Sequence, residues 1–302
     1  MRFLQPIVKE VRYTLRSTRL RAPIVWFRHR SLTSDNDNVF LASYQRSGST
    51  WLRFLLCEAL TKGTADFKSV KITIPDVRHF ARGPLLLGGG RLIKTHEPYR
   101  REYKKAIYLV RDPRDVVISL HAYDRPDENM DDFVRAFVAG KASPHGTWRR
   151  NVASWLHSPL AENGKLLLVK YETLRADTEA TLASILRFLG VTADREIIAN
   201  AIANNNLQRM RAKEDRALAS GVEVSGEPMR SRGRSVRRGS VGEWVEKLTS
   251  QQTRLIEDHA GEMLSALTYP SMLGLSQGLD NVAVAGGGLV DSGPSVPVGE
   301  AS

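Results

Sequence analysis

A single cysteine, Cys57, stands in a chain of 302 residues. No internal disulfide can form, which fits a reducing compartment. Apolar runs are short, and none approaches the ~20 residues needed to span a bilayer. The first 30 residues carry many Arg and Lys but lack the apolar core of a signal peptide. The expected location is therefore cytoplasmic, with peripheral membrane contact through this basic leader as a further expectation. No Cys/His group has zinc-ligand spacing and no EF-hand loop occurs, so no metal is expected. Zinc-finger, RRM and KH signatures are missing as well, which argues against a nucleic-acid partner. There is no internal repeat, and nothing in the sequence fixes an oligomeric state.

What is present is positive charge and a core-forming middle. Lys and Arg total 44 against 33 Asp and Glu, a net charge of +11. Such an excess suits an anionic ligand, a nucleic acid or an anionic membrane face. The 42% apolar content is enough for one large domain. The chain divides into a basic leader over 1–38 containing Trp26 and Phe27, a folded region over 39–270, and a Gly-, Ser- and Val-rich tail over 271–302 that reads as disordered.

Strands are expected at Val39–Ser43, Arg91–Thr95, Ala106–Val110 and Leu166–Val169. Helices are expected at about Thr50–Leu60, Met130–Val138, Thr147–Leu156, Asp177–Leu189 and Gln251–Leu267. Another should start after Asp112-Pro113, an N-cap followed by proline in the first helical turn. Near-continuous apolar strands separated by helices indicate a parallel sheet covered on both faces. Residues 211–240, rich in Arg, Gly and Ser, read as a mobile basic loop.

Between the first strand and its helix lies Tyr44-Gln45-Arg46-Ser47-Gly48-Ser49-Thr50-Trp51. A strand, a Gly/Ser turn and a helix N-terminus make an anion site, because free backbone N–H groups and the helix dipole face the ligand. Gly48 allows close backbone approach. Arg46, Ser47, Ser49 and Thr50 add donors. A Walker A sequence, Gly-x-x-x-x-Gly-Lys-Ser/Thr, is absent, which weighs against a kinase or ATPase.

The octet resembles the 5′-phosphosulfate loop of sulfotransferases that use 3′-phosphoadenosine-5′-phosphosulfate (PAPS). Their cytosolic members commonly read Tyr-Pro-Lys-Ser-Gly-Thr-Thr-Trp. Here Gln45 replaces the proline and Arg46 the lysine. A second block, Ile107 to Ser119, resembles the family's 3′-phosphate segment, with Arg111 at a strand end and Ser119 eight residues later. A third, Ser235 to Trp244, resembles Arg-Lys-Gly-x-x-Gly-Asp-Trp and offers Arg237, Arg238 and Gly239. Lys94-Thr95-His96-Glu97-Pro98 resembles the segment carrying the family's catalytic histidine. Tyr171 matches a tyrosine near the adenine and Trp51 an aromatic stacked on it. Asn205 to Leu207 agrees more poorly with a further nucleotide-contacting stretch.

The resemblance implies a P-loop-like, three-layer α/β fold with a central parallel sheet and helices on both faces. It implies sulfuryl transfer from PAPS to an acceptor hydroxyl or amine, with PAP (the desulfated nucleotide) as product. His96 would be the general base. Arg46 and Lys94 would stabilise charge on the leaving phosphate, while Arg111, Ser119 and residues 237–239 would hold the 3′-phosphate. Glu97 and Glu58 are alternative bases. His29, His79, His145, His157 and His259 read as structural, and His121 is left open. The acceptor is unidentified, and its pocket is expected from 63–90 and 121–147. The rival readings are a small-molecule kinase on a related fold, or a basic nucleic-acid or membrane-binding protein.

Overall fold

The computed structural model describes residues 37–77, 86, 89–222 and 234–271. Residues 1–36 of the basic leader, the tail beyond Ser271, part of the expected acceptor segment and residues 223–233 of the expected basic loop therefore lie outside the described residues.

Among the described residues, four parallel strands form the sheet, in the spatial order β2-β1-β3-β4. They are β1 (Val39–Ser43), β2 (Leu92–Thr95), β3 (Ala106–Val110) and β4 (Leu166–Lys170). Side chains alternate between the two faces, as the two-residue period of a strand requires. Phe40, Ala42, Tyr108 and Val110 enter one core, with helices α3 (Pro113–Asp124), α4 (Met130–Val138), α5 (Trp148–Leu156) and α12 (Ser250–Ala260). Val39, Leu41, Ile107 and Leu109 enter the other, with α1 (Ser49–Thr61), α8 (Thr178–Phe188) and α9 (Arg195–Asn204). Two cores on a parallel sheet give the expected three layers.

The remaining helices are short, apart from α10 (Leu207–Ala219). They are α2 (Phe67–Thr73), α6 (Pro159–Glu162), α7 (Tyr171–Ala176), α11 (Trp244–Lys247) and α13 (Glu262–Ala266). Asp112 does cap α3, its Oδ1 accepting from Arg114 N at 2.9 Å, with Pro113 in the first turn. At the β2 edge, Lys94 N donates to Pro75 O and Val77 N to Lys94 O, both at 2.8 Å, so the preceding segment shields that edge.

Three expectations need correction. Residues 211–219 are not loop but the end of α10, which buries Met210, Lys213, Glu214 and Ala217 on one face at helical spacing. The density of Arg and Lys concealed that stripe. The expected helix Gln251–Leu267 breaks into α12 and α13 at Gly261, whose φ of 54° a continuous helix cannot accommodate. The apolar strand β4 is covered less fully than expected: Leu166 packs on one core and Leu167 and Val169 on the other, but at this edge of the sheet Leu168 is 40% exposed.

Helix α10 is fastened by a buried ion pair. Lys213 Nζ donates to Glu58 Oε1 at 3.0 Å and to Asn205 Oδ1 at 2.7 Å. The same glutamate oxygen accepts from Ala65 N at 2.9 Å. Removing the ammonium strands a carboxylate away from water. Lys213→Met is therefore expected to cost about 3–5 kcal/mol in urea unfolding, and the double variant with Glu58→Met to recover most of it. Equal stability of the single and double variants would contradict this.

Candidate active site

The carboxyl ends of parallel strands are where ligands bind in open α/β sheets. Here the strand ends lie level, with Ala42 opposite Thr95, Ser43 opposite Leu109 and Val110 opposite Lys170. The chain then leaves each strand through a candidate residue. The loop 44–48 follows β1, His96 follows β2, Arg111 follows β3, and Tyr171 follows β4.

Helix α5 holds this end of the sheet together. Trp148 Nε1 donates to Arg111 O at 3.1 Å, Asn151 Nδ2 to His96 O at 3.0 Å, and Trp155 Nε1 to Glu97 O at 3.1 Å. Spacings of three and four residues put these tips on one helix face. Carbonyls that have left the sheet ladder thus gain buried donors, which fixes the backbone of three candidate residues, Arg111, His96 and Glu97.

The β1–α1 loop has the geometry of an anion cradle. Arg46 and Gly48 adopt positive φ, 64° and 98°. No side chain caps α1, so its first N–H groups stay free. A Cβ on Gly48 would lie 2.4 Å from the Tyr171 ring, so glycine is required for contact as well as for φ. Ser47 Oγ is buried without a hydrogen-bond partner.

Arg46, Ser119 and the basic loop converge. Arg46 Nε donates to Ser119 Oγ at 3.1 Å and Nη2 to Ser235 O at 3.2 Å, with the guanidinium 4.3 Å from the Tyr123 ring centre. Burial pushes Arg46 down to about 10, and nearby Arg111 and Arg237 push the same way. Arg111 Nη2 donates to Ser240 O at 2.7 Å and Nη1 to Arg46 O at 3.3 Å, over the Tyr171 ring at 4.6 Å. Arg111 Nε and Arg237 Nε are both buried without partners. Buried donors left open beside a cradle of N–H groups are what an anionic ligand would satisfy.

Two buried carboxylates fix the basic loop. Glu214 on α10 accepts from Ser235 N at 2.7 Å and Val236 N at 3.1 Å. Asp115 on α3 accepts from Gly242 N at 2.8 Å and Trp244 N at 3.2 Å. Tyr171 OH donates to Gly239 O at 2.9 Å. Arg237 and Arg238 both pair with Glu243. Burial works to raise that carboxyl, but the Arg237 hydrogen bond and both arginine charges hold it below the ordinary value. Trp51 donates to Asn205 O at 2.8 Å and meets Tyr171 edge-on, with ring centres 6.3 Å apart.

His96 is half-buried, and its Nδ1 lies 2.8 Å from Ser43 O. A carbonyl oxygen only accepts, so Nδ1 carries the proton and Nε2 keeps its lone pair. Lys94 Nζ is 2.7 Å from Asp76 Oδ2. Burial holds the His96 pKa well below its ordinary value, and Lys94 and His145 add to that. The two glutamate candidates serve elsewhere. Glu58 pairs with Lys213, and Glu97 accepts from Arg100 Nε at 3.0 Å. Sequence reasoning missed Asp76, Asp115 and Glu214, and left His145 structural although its ring centre is 5.7 Å from that of His96.

The sulfotransferase domain family matches residues 36–268. The chain belongs to that family. Curated relatives include human Sulfotransferase 2B1, 25% identical over 78% of this chain and 68% of its own length. Bovine Sulfotransferase 1E1 is 24% identical over 77% of this chain and 85% of its own. Among solved structures, mouse sulfotransferase SULT7A1 complexed with PAP shares the fold at a TM-score of 0.56 and 22% identity, covering 84% of this chain and 92% of its own. Retinol dehydratase in complex with retinol and PAP gives 0.58 at 19% identity, covering 76% and 81%. Family membership sets aside the kinase and the nucleic-acid-binding readings of the domain. No helix among the described residues is long and apolar enough to cross a membrane.

The His96 shift has a pH consequence in this sulfotransferase domain. Unfolded, the imidazole binds a proton near its ordinary pKa of about 6.5. Folded, it binds one only at distinctly lower pH. The unfolded state thus carries more protons between the two values, and the stability this gives is full above about 6.5 and lost as pH falls through that window. NMR titration should show the His96 ring still neutral at pH values below 6.5, and a midpoint at or above the ordinary value would refute the burial argument.

Proposed function

We propose that the protein transfers a sulfuryl group from PAPS to an acceptor hydroxyl or amine by in-line displacement, releasing PAP. The reading rests above all on Ser47 Oγ, Arg111 Nε and Arg237 Nε, buried donors without partners at one end of the sheet. They fit a ligand carrying phosphate at two places.

In this assignment the cradle, with Arg46, Ser47, Gly48, Ser49 and Thr50, takes the 5′-phosphosulfate. Arg111, Ser119, Arg237, Arg238 and Gly239 take the 3′-phosphate, and Trp51 and Tyr171 flank the adenine. His96 Nε2 accepts the acceptor's proton as the new bond forms from sulfur to the acceptor oxygen or nitrogen. The bond from sulfur to the bridging phosphate oxygen breaks, and its electron pair leaves with PAP. Arg46 and Lys94 offset the charge gathering on that phosphate. A transferring sulfuryl group carries less negative charge than a phosphoryl group, so fixed cations supply stabilisation that phosphoryl transfer draws from Mg²⁺. We place the enzyme in the cytoplasm, with residues 1–38 as its contact to anionic membrane.

The nucleotide assignment is tested by calorimetry. PAP is expected to bind much more tightly than AMP, and equal affinities would remove the case for a 3′-phosphate site. The base assignment is tested separately. His96→Ala is expected to lower turnover roughly 10²–10⁴-fold with little change in PAP binding. Near-normal turnover would sink the histidine role. Arg46→Ala should differ from it by weakening donor binding as well as slowing transfer, because Arg46 meets both the bound nucleotide and the developing charge.

A further inference from the structure

Glu243 has no part in the proposed reaction, yet its carboxylate holds two of the proposed phosphate ligands. Arg237 Nη2 donates to Glu243 Oε2, and Arg238 Nη1 lies 3.5 Å from Oε1. One carboxylate thus spans two guanidinium groups, one oxygen to each. Its side chain is only 10% exposed, while that of Arg238 is 56% exposed. The glutamate is also the fixed member of the group. Both neighbours in the chain, Gly242 and Trp244, donate their backbone N–H to the buried Asp115.

The pairing is incomplete in a telling way. Glu243 engages Arg237 through Nη2 and leaves Nε buried and unpartnered. Guanidinium binds best when Nε and Nη donate together to two oxygens of one anion. A phosphate can offer that fork and still turn a third oxygen toward Arg238. It also carries more charge than a carboxylate. A negative group between these arginines is therefore provided by the chain, but in weaker form than a nucleotide phosphate would provide it.

We propose that Glu243 is an internal anion that holds Arg237 and Arg238 until the 3′-phosphate of the nucleotide takes them over, and that it thereby sets nucleotide affinity and the release of PAP. This rests on the sulfotransferase reading above. A nucleotide with no 3′-phosphate gains nothing from the exchange and leaves the pairs intact. One with a 3′-phosphate must first displace the carboxylate, so part of its binding energy is spent separating ion pairs. Tight product binding would slow turnover, and a resident competitor offsets it.

The direction of the expected effect separates this role from a structural one. If Glu243 only braced the loop, its removal would disorder Arg237 and Arg238 and weaken PAP binding. If it competes, its removal frees them. Glu243→Gln, near-isosteric and neutral, is expected to bind PAP about 1.5- to 5-fold more tightly than wild type, the range of a partly exposed ion pair. AMP affinity should stay unchanged, and stopped-flow release of PAP should slow by a similar factor. Calorimetry with both nucleotides reads the first two, and thermal unfolding confirms that the variant is folded. Unchanged or weaker PAP binding by the folded variant overturns the proposal. Should Glu243→Gln fail to fold, Glu243→Asp carries the same test. Its shorter carboxylate reaches one guanidinium rather than two, so a smaller gain is expected and its absence counts against the proposal. If wild type itself binds PAP and AMP equally, the sulfotransferase reading fails and this inference with it. If wild type prefers PAP and neither variant gains affinity, only the inference fails.

Discussion

Repulsion between like charges is the constraint this site has to meet. Arg46, Arg111 and Arg237 are drawn together at the strand ends, close enough that Arg111 and Arg237 depress the pKa of Arg46. Two unit charges 4 Å apart repel by about 4 kcal/mol at the effective dielectric of a protein surface. The surrounding residues offset that repulsion piece by piece. Tyr123 and Tyr171 turn ring faces to Arg46 and Arg111, each such contact being worth roughly 0.5–2 kcal/mol. The backbone oxygens of Arg46, Ser235 and Ser240 accept from the same guanidinium groups. Asp115, Glu214 and Glu243 place negative charge around them. The compensation is arranged about the arginines without filling every donor, which leaves the site receptive to an anion.

Holding such a cluster requires a stiff support. Fixed dipoles act on a reacting group without a reorganisation cost only if the backbone bearing them does not move. The level ends of four paired strands supply part of that stiffness. Helix α5 supplies more, through the indole and amide donors that Trp148, Asn151 and Trp155 extend to backbone carbonyls just past β2 and β3. The described residues of the basic loop, 234–243, form no strand. Glu214 therefore clips Ser235 and Val236 to α10, and Asp115 clips Gly242 and Trp244 to α3. The buried Lys213–Glu58 pair consequently matters beyond stability, since it seats the helix that carries Glu214.

Much of this was legible in the sequence because strand ends carry strong local signals. Short apolar runs marked all four strands, and Asp112-Pro113 marked the start of α3. Arg111 and Ser119 were linked by a spacing that a strand, a turn and two helical turns explain, and Ser119 does meet the cluster through Arg46. The partners that neutralise the arginines were not legible. Glu214 lies in a stretch whose dense Arg and Lys masked the helical stripe of Met210, Lys213 and Ala217. Asp115 drew no reading of its own, although both its oxygens serve a loop far along the chain. His145 comes beside His96 only through tertiary packing. Carboxylates that receive backbone N–H groups across such separations leave no local pattern, because the pairing depends on where two distant segments come to rest.

The exchange of lysine for arginine at position 46 shows how a departure from the family pattern can carry structural meaning. A lysine ammonium presents its donors at one point on a flexible stem. Arg46 presents a plane, and the structure uses several parts of it at once. Nε reaches Ser119 on α3, Nη2 reaches Ser235 at the head of the basic loop, and the face rests on Tyr123. One side chain from the β1–α1 loop thereby joins the second and third sequence blocks. Its positive φ sets the departure angle from the loop. The cost is chemical: even with its pKa pushed down to about 10, this guanidinium keeps its proton at neutral pH. In the proposed reaction Arg46 would therefore act on the leaving phosphate by charge and hydrogen bonding rather than by giving up a proton. Under the same proposal, proton movement falls to the acceptor side, where His96 would receive the proton at Nε2, the ring nitrogen turned away from Ser43 O.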